Sequence, residues 1–211
     1  MKAKKNLLKK SRLYIILDKN ISHRDIPDTI ARIKGSGVDI IQLRDKESKK
    51  EAILKDAFLL RRTLLNAKTL FIINDYLDVA KIVDSDGLHL GQQDSSLKIA
   101  RKILGQDKII GVSCHNLKQA LQAQKEGADY LGVGPIFPTS TKPQTTKPIG
   151  LSLIKELKKK IKIPFFVIGG INQDNINKVL SSGIGRVAMC SAIFRTKDIS
   201  SRIRYFSKIL N

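Results

Sequence analysis

The sequence predicts a single (β/α)8 barrel. Eight short apolar runs of strand length recur along the chain, helix-period segments separate them, and the runs are apolar almost throughout, as strands buried on both faces of a parallel sheet must be. Spread over 211 residues, eight βα units average about 26 residues each, which suits a small barrel. A doubly wound open sheet fits less well, because the count is eight and no glycine-rich dinucleotide fingerprint follows the first run. No Pro-, Ser- or Gly-rich linker divides the chain. Residues 1–211 therefore read as one domain with a short basic N-terminal extension over about residues 1–12.

The strands are expected at LYIIL (13–17), DIIQL (39–43), LFIIN (70–74), GLHL (87–90), KIIGVS (108–113), YLGVG (130–134), FFVIGG (165–170) and RVAMC (186–190). After the second, Ser48 and Glu51 have capping-box spacing, and Ile53, Ala57, Leu60 and Leu64 share one helical face. After the fifth, Asn116 and Gln119 open a helix that carries Ala120 and Leu121 and stops at Gly127. Asn172 precedes a further helix with Ile176, Val179 and Leu180, ending before Gly183. Gly37-Val38-Asp39 and Gly127-Ala128-Asp129 share one form, a helix-ending glycine followed by entry into a strand, and Gly183-Ile184-Gly185 is a looser copy.

Hydrophobic residues make up 42% and charged residues 27%, a globular balance that excludes disorder as the main state. No apolar run has the length needed to cross a bilayer, and the lysines of MKAKKNLLKKSR are not followed by a signal-peptide apolar region, so a cytoplasmic location is expected. Cys114 and Cys190 make no disulfide framework and no zinc spacing, which leaves oxygen ligands for any metal. A net charge of +20 invites a nucleic-acid reading. The lysines are dispersed rather than striped, aromatics are only 5% and there is no Trp, so attraction of small anions is the better expectation and no specific nucleic-acid partner is expected.

Reactive groups of such barrels lie at the C-terminal ends of the strands. Those positions hold Gln42-Leu43-Arg44-Asp45-Lys46, Asn74-Asp75, Gln93-Asp94, Ser113, the stretch GPIFPTSTKP (134–143), Gly169-Gly170 and Cys190-Ser191. Asp75 and Asp94, two hard carboxylates on adjacent strand ends, suit Mg²⁺ with remaining waters and phosphate oxygens, and Arg44, Lys46 and Lys142 would surround the same anion. Taken singly, the aspartates also suit helix capping and Arg44 a surface ion pair. Gly169-Gly170 and Cys190-Ser191 lie in the loops after strands seven and eight, where barrels commonly hold a phosphate, although the glycines alone equally suit a tight turn.

QLRDK (42–46), IIND (72–75), GLHLGQQD (87–94), GVSCH (111–115), GADYLGVGPIFPTSTKP (127–143), IGGI (168–171) and CSAI (190–193), in this order, resemble the thiamine-phosphate synthase family. The resemblance runs from about the first strand to the eighth. It implies a transferase with a (β/α)8 fold that joins 4-amino-5-hydroxymethyl-2-methylpyrimidine diphosphate to 4-methyl-5-(2-hydroxyethyl)thiazole phosphate, giving thiamine phosphate and diphosphate. By similarity, Gln42, Leu43, Arg44, Asp45, Lys46 and Asn74 contact the pyrimidine diphosphate, Ser113 and Lys142 also touch it, and Asp75 and Asp94 hold Mg²⁺. Thr139, Ser140, Thr141, Gly170, Cys190 and Ser191 would hold the thiazole phosphate. Arg44, Lys46, Ser113 and Lys142 are the expected catalytic residues, the stretch 137–148 the expected lid, and a homodimer the expected assembly.

Three features depart from or complicate that pattern. Thr-Lys-Pro occurs at 141–143 and again at 146–148; Lys142 is in phase with GPIFPT, which leaves Lys147 as a lid-surface residue. Gln93 stands where family members often carry Glu, and Cys190 is a slightly unusual small residue in the phosphate loop. His89 and His115 are expected to be structural. A related thiazole tautomerase would instead need His115, but proton transfer requires no diphosphate clamp such as QLRDK with two aspartates.

Overall fold

The computed structural model describes residues 2–23, 26–33, 35–139 and 147–211. Its strands are β1 (Leu13–Asp18), β2 (Ile40–Arg44), β3 (Leu70–Asn74), β4 (Gly87–Leu90), β5 (Ile109–Cys114), β6 (Tyr130–Val133), β7 (Phe165–Ile168) and β8 (Val187–Met189). All pair in parallel with their sequence neighbours, and β8 closes on β1 through the partners Leu13 and Val187, so the sheet is a barrel without edges. The helices among the described residues are α1 (Lys2–Lys10), α2 (Lys19–Ser22), α3 (Ile26–Ile33), α4 (Lys50–Leu64), α5 (Leu77–Ile82), α6 (Leu97–Leu104), α7 (Leu117–Lys125), α8 (Ser152–Lys160), α9 (Ile176–Ser181), α10 (Ser191–Phe194) and α11 (Ile199–Leu210). The expected fold class is the one observed. None of these helices is long and apolar enough to cross a membrane.

Alternation along each strand divides the apolar residues into two layers. Outward side chains such as Leu13, Ile15, Leu17, Ile41, Leu43, Phe71, Ile73 and Leu131 pack under the helices, against Ile53, Ala57 and Leu60 of α4 among others. Inward ones, including Tyr14, Ile40, Leu70, Ile72, Ile109, Tyr130, Phe166 and Ala188, fill the lower half of the barrel. Towards the C-terminal ends the inward series changes from apolar to polar: Ile40 gives way to Gln42 and Arg44, Ile72 to Asn74, and Ile109 to Ser113. That change of chemistry opens a polar site above a dry floor.

The basic N-terminal segment is a helix that closes the bottom of the barrel. Leu8 is buried in the inner layer, Lys4 pairs with Asp86 at 2.6 Å and Lys5 with Asp129 at 2.9 Å. Those aspartates also start strands: Asp86 accepts from the Phe71 N–H and Asp129 from the Ile110 N–H, as Asp39 does from the Arg12 and Leu13 N–H groups. Part of the positive charge is thus matched at the base. The glycines preceding two of these aspartates have the expected positive φ, 91° at Gly37 and 93° at Gly127.

Some local expectations need correction. Ser48 does not cap α4; Lys49 holds that position with no side-chain bond, and the Ser48 side chain is engaged instead with the Asp45 carboxylate, which also accepts from the Glu47 and Ser48 N–H groups. Asn175, not Asn172, is the residue before α9, and the Asn172 side chain closes a turn onto the Asp174 N–H. Strands β6, β7 and β8 stop before Gly134, Gly169 and Cys190, where the backbone turns. Asn116 does cap α7 by accepting from the Gln119 N–H, and the Gln119 side chain accepts in return from the His115 N–H.

Candidate active site

A cavity of about 340 Å³ opens at the C-terminal end of the barrel. Gln42, Arg44, Asn74 and Ser113 line it from β2, β3 and β5, while Thr139, Gly170, Cys190 and Ser191 line it from the loops after β6, β7 and β8. These are eight of the residues expected from the sequence. Leu43 points outward into the layer under the helices, and Asp45 is buried in the turn after β2, so neither side chain reaches the cavity. Alternation explains Leu43, which lies between the inward Gln42 and Arg44, whereas Asp45 lies past the end of β2 and Lys46 stands beside the cavity at Asp75. Ser140, Thr141 and Lys142 lie outside the described residues, as does most of the expected lid. Lys147, expected on the lid surface, reaches the cavity lining.

Arg44 is not a surface ion pair. Its guanidinium binds the carboxylate of Asp18, its register partner on β1, and Asp18 is 2% exposed. Asp18 meanwhile caps α2 by accepting from the Asn20 N–H at 3.1 Å. An anchored guanidinium keeps its other N–H groups available to an anion in the cavity at little further entropic cost.

Beside the cavity, Asp75 and Asp94 meet. Burial and the adjoining Asp94 carboxyl both push the Asp75 carboxyl above the ordinary carboxylate range, against the opposing pull of Lys46, whose Nζ is 2.9 Å away. Neither aspartate caps a helix. α5 begins after Tyr76 with no side-chain cap, α6 is capped by Ser96, and the Asp94 carboxylate instead accepts from the Gly91 N–H at 2.6 Å. Asp75 sits at φ 60°, a left-handed conformation uncommon for a residue with a side chain, and its N–H donates to the His89 carbonyl at 2.9 Å. Two hard carboxylates that repel one another, next to an anion-suited cavity, form a donor set that fits Mg²⁺. Among the described residues no group of three or more His, Cys, Asp or Glu gathers, so further ligands would be waters and substrate oxygens.

The loops after β6 and β7 are knitted together by hydrogen bonds from Ile136 N to Ile168 O and from Phe137 N to Gly169 O. Gly170 has φ 65°, and a Cβ there would lie 2.3 Å from the Pro138 carbonyl oxygen. Glycine is therefore required by close approach. Gly170→Ala is expected to push the 137–138 strip away and raise KM for the substrate held by these loops at least about tenfold, read from initial rates.

Burial, and secondarily the charge of Asp18, push the Cys190 thiol up to about 12, which disfavours the thiolate. Cys190→Ala is expected to leave kcat/KM within about threefold of wild type, since the thiolate is absent at neutral pH.

Sequence reasoning passed over several lining residues. Tyr14, Asp18 and both His89 and His115 face the cavity. His89, expected to be structural, is held as such a residue would be: its ring lies between Tyr130 Oη and Ser113 Oγ, each at 2.9 Å, while it also borders the cavity. Alternation in GLHL, which sets Leu88 and Leu90 outward, could have placed it on the cavity side.

Comparisons with known proteins agree in kind. A sequence model of the family described as "Thiamine monophosphate synthase" matches residues 13–193. A thiamine-phosphate synthase of Shouchella clausii is 43% identical over 195 residues, covering 92% of this chain and 93% of the relative. One of Halalkalibacterium halodurans is 47% identical over 174 residues, covering 82% of each. The solved structure of a thiamine phosphate pyrophosphorylase from Pyrococcus furiosus superposes with TM-score 0.86 at 33% identity, covering 98% of this chain and 96% of that one.

Proposed function

From the premise that the chain belongs to the thiamine monophosphate synthase family and is a transferase of thiamine biosynthesis, we propose that it joins the pyrimidine diphosphate to the thiazole phosphate and releases diphosphate. One observation carries this reading: groups suited to two separate anions converge on a single cavity, Arg44 and Ser113 on one arc, and Gly170, Cys190 and Ser191 on another.

Arg44, held by Asp18, donates to the diphosphate, with Lys46 and, by similarity, Lys142 as further cations. Gln42 and Asn74 offer the pyrimidine polar partners. The methylene C–O bond breaks with its electron pair leaving on the diphosphate, and the aminopyrimidine spreads the positive charge of the carbon left behind. The thiazole nitrogen lone pair then forms the C–N bond, so no protein nucleophile is needed, in keeping with the protonated thiol of Cys190. Asp75 and Asp94 would hold Mg²⁺, which when bound neutralises charge on the diphosphate. The backbone of Gly169-Gly170 and Cys190-Ser191, with Thr139 and, by similarity, Ser140 and Thr141, would hold the thiazole phosphate. Below Gln42 the hydroxyls of Tyr14 and Tyr130 are satisfied by one another and by Gln42 and His89, and the packed rings around them leave little room for water near the reactive carbon.

The test is incubation of the purified protein with both substrates and Mg²⁺, with thiamine phosphate measured against time. Product that disappears when either substrate is omitted is the expected result. No product from folded protein at saturating substrate overturns the synthase reading.

A further inference from the structure

Below the cavity, five polar side chains from five strands form an unbroken chain of hydrogen bonds. Gln42 Nε2 donates to Tyr14 Oη at 2.5 Å, Tyr14 Oη meets Tyr130 Oη at 2.8 Å, Tyr130 Oη meets His89 Nδ1 at 2.9 Å, and His89 Nε2 meets Ser113 Oγ at 2.9 Å. Tyr130 is fully buried and lies off the cavity lining, so its phenol must find its acceptor within the protein, while Tyr14, 2% exposed, borders the cavity. Room for the chain is specific: a Cβ at Gly111 would stand 2.1 Å from the Tyr130 ring.

Donor bookkeeping gives the chain one direction. Tyr14 receives the Gln42 amide proton, and its own proton has one acceptor among the bonds described, Tyr130 Oη. Tyr130 must then donate to His89 Nδ1, for otherwise the Tyr14 proton is stranded in the barrel. An imidazole that accepts at Nδ1 is neutral and carries its proton on Nε2, which donates to Ser113 Oγ. The direction ends there: the Ser113 oxygen accepts from His89, which leaves the hydroxyl proton free for the cavity that Ser113 lines. Burial raises the pKa of Tyr14 and of Tyr130 well above that of a free phenol, so the protons that define the direction stay in place at neutral pH.

We propose that Tyr14, Tyr130 and His89 are positioning residues whose one-way hydrogen-bond chain fixes Ser113 as a donor to the departing diphosphate. The proposal rests on the synthase reading above and adds to it how the serine is oriented. With His89 Nε2 donating, the Ser113 proton is not spent on the imidazole and remains available for donation to the substrate, the sense that stabilises growing negative charge.

The tautomer can be read without any substrate. In protein labelled with ¹⁵N at histidine, with three histidines to distinguish and His89 assigned from His89→Gln, the expected result is a neutral His89 ring protonated on Nε2. A ring protonated on Nδ1 overturns the proposal. In the assay, Tyr130→Phe keeps the ring packed against Phe166 and removes only the hydroxyl. It is expected to lower kcat about tenfold with KM for the thiazole phosphate unchanged, and Ser113→Ala to lower kcat about tenfold to a hundredfold. Tyr130→Phe added to Ser113→Ala should cause no further loss. Effects that multiply instead mean that Tyr130 acts other than through Ser113, and overturn the proposal. Absence of product from wild type strikes the synthase reading itself, whereas the tautomer is decided independently of it.

Discussion

Asp94→Asn is expected to lower thiamine phosphate formation at least about a hundredfold while leaving the fold intact. The amide oxygen of asparagine can still accept from the Gly91 N–H that the Asp94 carboxylate holds at 2.6 Å, so the turn survives and only the charge is lost. The same substitution should raise thermal stability in the absence of divalent cations. Burial and the Asp94 neighbour raise the pKa of Asp75 above its ordinary value of 3.8. Between that value and the raised one, the native state retains a proton that the unfolded chain has shed, so stability falls as pH rises through the window. Removing the neighbouring charge narrows the window, and the variant should melt higher than wild type at neutral pH. Mg²⁺ should raise the melting temperature of wild type and do little for the variant. Melting curves over pH, with and without Mg²⁺, check both statements.

Arg44→Ala is expected to cost in two currencies. Rate should fall on the order of a hundredfold to a thousandfold, the size seen when a donor to developing anionic charge is removed. Stability should fall by about 3 kcal/mol, because Asp18, 2% exposed, loses the cation that partners it. The double variant Asp18→Asn/Arg44→Ala separates the effects: asparagine can still accept from the Asn20 N–H, so stability should recover in good part while activity stays low. Recovery of both would mean that Arg44 serves only to balance Asp18. Denaturant titrations beside initial rates give the two readouts.

Much of this was legible in the sequence because a barrel repeats one local unit. Apolar runs set the strands, their ends collected Gln42, Arg44, Asn74, Ser113 and Gly170, and the structure brings all five to one cavity. What stayed hidden depends on partners distant in the chain. Asp18 reads as a residue at a strand end until β1 and β2 register sets it opposite Arg44. The N-terminal lysines read as an extension because the aspartates they meet, Asp86 and Asp129, lie far along the chain. Ser48 has the spacing of a cap, but local spacing takes no account of Asp45, whose carboxylate holds both the Ser48 N–H and the Ser48 side chain. The two contacts of His89, to Tyr130 and Ser113, cannot be read from GLHL because only closure of the barrel creates them.

The most direct test of the account is a phosphorus-31 spectrum of one reaction followed over time, for wild type and Asp94→Asn, with Mg²⁺ and then with chelator. Coupled condensation at a diphosphate clamp requires thiamine phosphate and inorganic diphosphate to appear in equal amounts in wild type, only with Mg²⁺ present, and at a strongly reduced rate in the variant. Diphosphate released without matching thiamine phosphate, or equal rates in chelator or in the variant, would contradict it.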